Sequence, residues 1–270
     1  MSETPVPPIR RCLVVTAVAA AAALAALPAA PGPGAVEATM PSTRDCTLRY
    51  RLHAATPAAA QVVAIVAHGY LRDGSYMTGW AEALAQAGIP AVTVDLCASI
   101  QADGRPADDG ADLVAVRRAL GASQVLYVGV SAGGLAALVA ASEDPAATRG
   151  VLLLDPVNAG GQARSAAGRV RAPVAALVAR SQVCNAWRNF DPALETLADA
   201  TIVRIPGASH CDFEWPGDRL CRVLCVATNS RAERDRAQAR IRSLGVSFLA
   251  AAASDRSQAL ADWRGDIGPD

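Results

Sequence analysis

The sequence predicts an α/β fold, a mostly parallel central sheet flanked by helices on both faces, and three observations carry that prediction. Short runs rich in Val, Ile and Leu alternate along the chain with longer helix-forming stretches. Gly129-Val130-Ser131-Ala132-Gly133, a G-x-S-x-G run, joins one such strand to one such helix through a sharp turn. His68, Ser131, Asp155 and His210 each follow the carboxyl end of an apolar run, the edge where open parallel sheets carry their active residues.

Taken in order, Thr47 to Ala54 reads as an early strand whose His53 is expected at the surface or on an edge. Val62 to Ala67 is the first well-formed apolar strand, Ser75 to Gly88 a helix closed by glycine, and Pro90 to Leu96 a strand. Asp108 to Leu120 is an amphipathic helix leading to the strand Gln124 to Val128, and Leu135 to Ala141 is built of helix formers. Val151 to Leu154 and Pro173 to Ala179 are continuous apolar runs of the kind buried on both faces of a parallel sheet. The segment between them, with Arg164, Arg169 and Arg171, is too short for a large lid domain. Asp191 to Asp199 reads as a surface helix, Ala200 to Ile205 as a strand, and Arg231 to Ala253 as a helix packed on the sheet.

The chemistry starts from Ser131. Gly129 and Gly133 remove side chains where strand and helix crowd the turn, so a serine in strained geometry projects its hydroxyl. The helix that begins there aims free N–H groups at any negative charge forming beside it. A serine hydroxyl needs a base, and the chain has only three histidines. His53 lies early, and His68-Gly69 forms a turn suited to an oxyanion loop. His210, in the loop Pro206-Gly207-Ala208-Ser209-His210, is the candidate base. The acid, expected between Ser131 and His210, is Asp155 at the end of Val151 to Leu154. The run after the next strand, Arg180-Ser181-Gln182-Val183-Cys184-Asn185, holds no carboxylate, and Asp191 and Asp212 stand as reserves. Backbone N–H groups of Ala132 and Tyr70 are the expected oxyanion donors, and Tyr70, Trp187 and Trp215 the expected substrate contacts. No cofactor is implied.

His68-Gly69-Tyr70, Gly129-Val130-Ser131-Ala132-Gly133-Gly134, Leu154-Asp155-Pro156-Val157 and Ser209-His210 together resemble the α/β-hydrolase superfamily, and within it the chlorophyllase-like and secreted esterases. The resemblance spans residues 62 to 215 and implies carboxylic ester hydrolysis through an acyl-enzyme, with the acid at Asp155. Ala132 stands where plant chlorophyllases carry arginine, so chlorophyll as substrate is not implied. Acyl transfer or peptide hydrolysis would use the same three residues, and a secreted binding protein on the same fold would lack one of them. Carboxylate-nucleophile chemistry is disfavoured by Ser131.

The remaining features bound the setting. Arg10-Arg11, an apolar run to Leu27 and a small-residue pattern ending Val36-Glu37-Ala38 read as a signal peptide over residues 1–38, leaving 39–270 as one catalytic domain. The mature protein is expected to be secreted or periplasmic and monomeric, with membrane tethering only if the leader is uncleaved. Outside the leader six cysteines remain, Cys46, Cys97, Cys184, Cys211, Cys221 and Cys225, which suit up to three disulfides in an exported chain. Their spacing does not choose the connectivity, and it lacks the paired knuckles that would make His210, Cys211, Cys221 and Cys225 a zinc site. With 25 basic and 25 acidic residues the formal charge is zero, which argues against nucleic acid as partner and leaves a small-molecule or lipid-like ester.

Overall fold

Eight strands in the order β1-β2-β4-β3-β5-β6-β7-β8 make one sheet. The computed structural model describes residues 36–44, 46–53, 62–97, 105–225, 227–254 and 257–267. β1 (Val36–Pro41) and β2 (Thr47–His53) run antiparallel to each other, and β2 runs antiparallel to β4 (Ala91–Asp95). From β4 onward the pairing is parallel, through β3 (Val62–Ala67), β5 (Gln124–Val130), β6 (Thr148–Leu154), β7 (Val174–Val178) and β8 (Ala200–Arg204).

The period-2 alternation of each strand divides the core into two layers. Val63, Ile65, Val125, Tyr127, Val151 and Leu153 pack with α2 (Pro106–Ala119) and α3 (Ala132–Glu143). Ala64, Val66, Leu126, Val128, Leu152 and Leu154 face the other way, onto α1 (Thr78–Gln86), α7 (Arg231–Ala253) and α8 (Ser257–Asp266). Both faces of the central strands are therefore dry, which is why these runs read as unbroken hydrophobic segments. α4 (Ala163–Ala167) and α5 (Asp191–Leu194) are short, and α6 (Arg219–Leu224) follows the loop after β8.

Three expectations change. β1 occupies the edge, so His53 on β2 is interior: it is buried, with Nε2 3.2 Å from Thr93 Oγ1. The expected helix over 191–199 is a single turn ending at Leu194. The leader boundary after Ala38 falls inside β1, which pairs with β2 from Val36↔Leu52 to Pro41↔Thr47, while residues 1–35 lie outside the described ones. Three disulfides form, Cys46–Cys97, Cys184–Cys225 and Cys211–Cys221. Among the described residues no helix is long and apolar enough to cross a membrane.

Gly129 shows how tightly β5 and α3 meet, since a Cβ there would lie 2.0 Å from the carbonyl oxygen of Gly133. Gly129→Ala must push the strand from the helix that starts at Ser131, and a loss of at least about 3 kcal/mol is expected, measurable as a lower urea midpoint.

Candidate active site

His68, Ser131 and Asp155 sit directly after the carboxyl ends of β3, β5 and β6, while Trp187 and His210 lie further along the connections that follow β7 and β8. Ser131 connects β5 to α3 with φ 55° and ψ −123°, a region side chains rarely adopt. Its backbone is pinned from one direction: Ser131 N–H donates to Leu154 C=O at 3.0 Å, and Ser131 C=O accepts from Val157 N–H at 3.0 Å and Gly134 N–H at 3.0 Å. Leu154 and Val157 bracket Asp155, so the strained turn and the acid-bearing turn hold each other.

Asp155 is buried and has φ 42°. Its N–H donates to Leu177 C=O at 2.8 Å, tying it to β7. Its carboxylate is fully engaged. Oδ1 accepts from Ala179 N–H at 2.9 Å, and Oδ2 lies 2.6 Å from Nδ1 of His210 and 3.2 Å from Nδ2 of Asn185. A short contact between a buried carboxylate and an imidazole nitrogen is charge-assisted, and it turns Nε2 of His210 away from the acid. The reserves are occupied elsewhere. Asp212 accepts from Ser209 N–H at 2.7 Å, Asn229 Nδ2 at 2.7 Å and Arg222 at 3.2 Å, and Asp191 pairs with Arg188.

Asn185 is the residue that sequence reasoning passed over. It stands at the position searched in vain for a carboxylate and is completely buried. Its Nδ2 donates to Asp155 and to Arg180 C=O at 2.8 Å, while its Oδ1 accepts from Gln182 N–H at 2.9 Å. The signal was present as an amide placed where a second acid would have repelled Asp155.

The loop after β3 approaches the serine closely, a Cβ on Gly69 falling 3.2 Å from Ser131 Cβ. His68 is buried, and its two nitrogens are used by groups of opposite kind. Leu96 N–H donates to Nε2 at 2.9 Å, so Nε2 must be unprotonated, and Nδ1–H donates to Gly69 C=O at 2.8 Å. Because Gly69 C=O and Tyr70 N–H belong to one trans peptide plane, that bond also sets where the Tyr70 N–H points. Burial lowers the His68 pKa, outweighing the Gly69 bond. Ala132 opens α3 directly after the serine, so its N–H is among those left without an intrahelical partner.

A second connection joins this loop to the one carrying His210. Arg72 Nε lies 2.8 Å from Glu214 Oε1 and its NH2 group 3.1 Å from Asp218. Glu214 is buried, its Oε2 accepts no hydrogen bond from the described residues, and burial raises its pKa against the pull of Arg72. Tyr70 and Trp187 are exposed, whereas the faces of Trp215 are taken by Arg242, 4.0 Å above its ring, and by Trp80 at 6.1 Å edge-on. Cys211, Cys221 and Cys225 come together, with Cys221 and Cys225 sulfurs 3.7 Å apart, but each sulfur is committed to a disulfide.

This sheet order, strand-turn-helix serine and loop-borne histidine define the α/β-hydrolase fold. Solved structures of that fold are similar to the chain. A dienelactone hydrolase from Anabaena variabilis is 26% identical, with a TM-score of 0.53 over 72% of this chain and 93% of its own. A thermophilic esterase from Thermogutta terrifontis is 14% identical, with a TM-score of 0.52 over 70% of this chain and 96% of its own. A metagenome-derived lipolytic enzyme is 15% identical, with a TM-score of 0.51 over 72% and 97%. No protein-family model and no curated protein sequence matches the chain. The neighbours bear out the superfamily and do not single out its chlorophyllase-like branch.

The neutral His68 makes stability depend on pH. Its pKa in the unfolded chain is 6.5 and lies lower when folded, so between the two values the unfolded chain binds more protons. Stability is whole above pH 6.5 and is lost as pH falls below it. His53 acts in the same sense through its own burial, and Glu214 in the opposite one. Urea midpoints measured between pH 7.5 and 5.5 should fall toward acid, and His68→Gln should flatten that slope more than His53→Gln. An unchanged slope in His68→Gln contradicts this account.

Proposed function

We propose that this chain is a serine hydrolase that cleaves carboxylic esters through an acyl-enzyme. The observation that carries the reading is the 2.6 Å contact between His210 Nδ1 and Asp155 Oδ2, whose neighbours Leu154 and Val157 hold the backbone of the strained serine turn. With Nδ1–H held by Asp155, Nε2 is the basic atom, and it takes the Ser131 proton as Oγ attacks the ester carbonyl carbon. The oxyanion is held by the N–H groups of Ala132 and Tyr70, the second aimed by His68 through the Gly69 carbonyl. His210 then returns the proton to the departing alkoxide. Water, deprotonated by the same nitrogen, attacks the acyl carbon and frees the acid and Ser131 Oγ–H. Tyr70 and Trp187 flank the substrate, Trp215 serves packing, and the reaction needs no cofactor. Three disulfides and the charged-then-apolar N-terminus support export of the mature chain. The dienelactone hydrolase and esterase neighbours support ester-type substrates.

A fluorophosphonate probe followed by peptide mapping tests the reading. Labelling at Ser131 is expected, with p-nitrophenyl ester turnover reduced by about four orders of magnitude or more in Ser131→Ala and Asp155→Ala. Absence of labelling and turnover in the disulfide-intact protein would remove catalysis from this fold.

A further inference from the structure

Among the described residues nine large apolar side chains are exposed, and seven of them lie on segments that carry or are bonded to those carrying the candidate site residues. Tyr70 and Leu71 follow β3, Val183 and Trp187 follow β7, and Leu220, Val223 and Leu224 belong to α6 beyond β8. The other two, Val36 and Ile202, lie on the edge strands. Such concentration is unlike the single scattered apolar residues normal on a protein surface.

The three segments are bound into one collar. Arg72, next to Leu71, reaches Asp218, whose carboxylate caps α6 by accepting from Leu220 N–H at 2.8 Å. Cys184, next to Val183, is joined to Cys225, next to Leu224, and Cys211, next to His210, is joined to Cys221. Tyr70 follows Gly69, whose Cβ position lies 3.2 Å from Ser131 Cβ.

α6 is turned inside out relative to an ordinary surface helix. Leu220, Val223 and Leu224 stand at i, i+3 and i+4, the spacing that normally seats a helix on its core, yet they face solvent. The inner face is held instead by Cys221 and the adjoining Cys225 through their disulfides. Trp187 is 70% exposed on a backbone with φ 57°, so both its conformation and its exposure cost stability. Every charged residue in 69–72, 180–188 and 219–225 is an arginine. Arg72 is paired with Glu214 and Asp218, Arg188 with Asp191 and Arg222 with Asp212, so what these segments offer outward is chiefly apolar rather than charged.

We propose that the collar docks the enzyme on the surface of a water-insoluble neutral ester, so that its substrate is drawn from a condensed acylglycerol-like phase. This rests on the esterase reading above. Position decides the occupant: the apolar segments adjoin Gly69 beside Ser131, Asn185 beside Asp155 and Cys211 next to His210, so a protein seated on them would crowd the serine, whereas a substrate phase both covers the apolar side chains and feeds it. The residue spacing lets α6 lie flat on such a surface with Leu71 and Trp187 beside it.

The test uses the full chain carrying Ser131→Ala, so that droplets are not consumed, mixed with gum-stabilised trioctanoin and separated by flotation. The protein is expected to float with the droplets, and adding Leu220→Ser, Val223→Ser and Leu224→Ser should lower the bound-to-free ratio by about tenfold or more. With Ser131 intact, the same three changes should depress trioctanoin hydrolysis similarly while p-nitrophenyl acetate turnover stays within about twofold. Protein remaining in the aqueous phase, or equal flotation of the triple variant, overturns the proposal. So does an equal loss on p-nitrophenyl acetate, which would place the effect in the catalytic loops. A dimer abolished by the three changes without droplet binding makes a second copy the occupant, and binding confined to anionic phospholipid vesicles makes it a membrane; each defeats the proposal. Turnover of p-nitrophenyl acetate without flotation removes only the docking claim, whereas flotation without turnover of any ester removes the esterase reading, and with it a substrate role for the droplet.

Discussion

The buried contact between Asp155 and His210 is the constraint around which the rest of the site is arranged. A carboxylate taken out of water is costly unless its lone pairs are filled, and here they are filled from two connections: the Ala179 N–H and the Asn185 amide after β7, and the His210 ring after β8. Because Asp155 is anchored to β7 by its own N–H and its neighbours Leu154 and Val157 hold the Ser131 backbone, moving the acid would move the serine. One ionised group thereby sets the geometry of strands β5, β6 and β7 at their carboxyl ends.

The strain at Ser131 and at Asp155, both at positive φ, is carried by the surrounding sheet. β5 and β6 are buried on both faces between α2 and α3 on one side and α1 and α7 on the other, leaving no slack for either turn to relax. Outside this rigid centre the loops are secured by other means. Arg72 joins the loop after β3 to Glu214 and Asp218, and the disulfides Cys184–Cys225 and Cys211–Cys221 fasten the segments beside Asn185 and His210 to α6. With α6 fastened in this way, Leu220, Val223 and Leu224 stay exposed on its outer face.

The central strands and the serine turn were legible in the sequence because their signals are local: unbroken apolar runs, and two glycines around a serine. Chain order and the end of an apolar run pointed to Asp155 and His210, which the structure brings 2.6 Å apart. What escaped depended on contacts distant in sequence. His53 reads as a surface residue until β1 is seen to take the edge beyond it, and β1 itself begins within what reads as a leader. Asn185 carries no charge, so a search for acids passes over the amide that supports one. The cysteine pairing needed the fold, since Cys225 lies four residues from Cys221 yet bonds with Cys184. α6 was missed because its apolar face points outward, against the pattern by which helices are recognised.

The most direct measurement is proton NMR of protein labelled with 15N only in its three histidines. His210 should carry a proton on Nδ1, strongly hydrogen-bonded to Asp155, and so give a far-downfield resonance coupled to one histidine nitrogen. That resonance should vanish in Asp155→Ala while the signals of His53 and His68 persist. A His210 Nδ1–H resonance that is absent in the native protein, or that survives loss of Asp155, would contradict the arrangement on which the proposed chemistry rests.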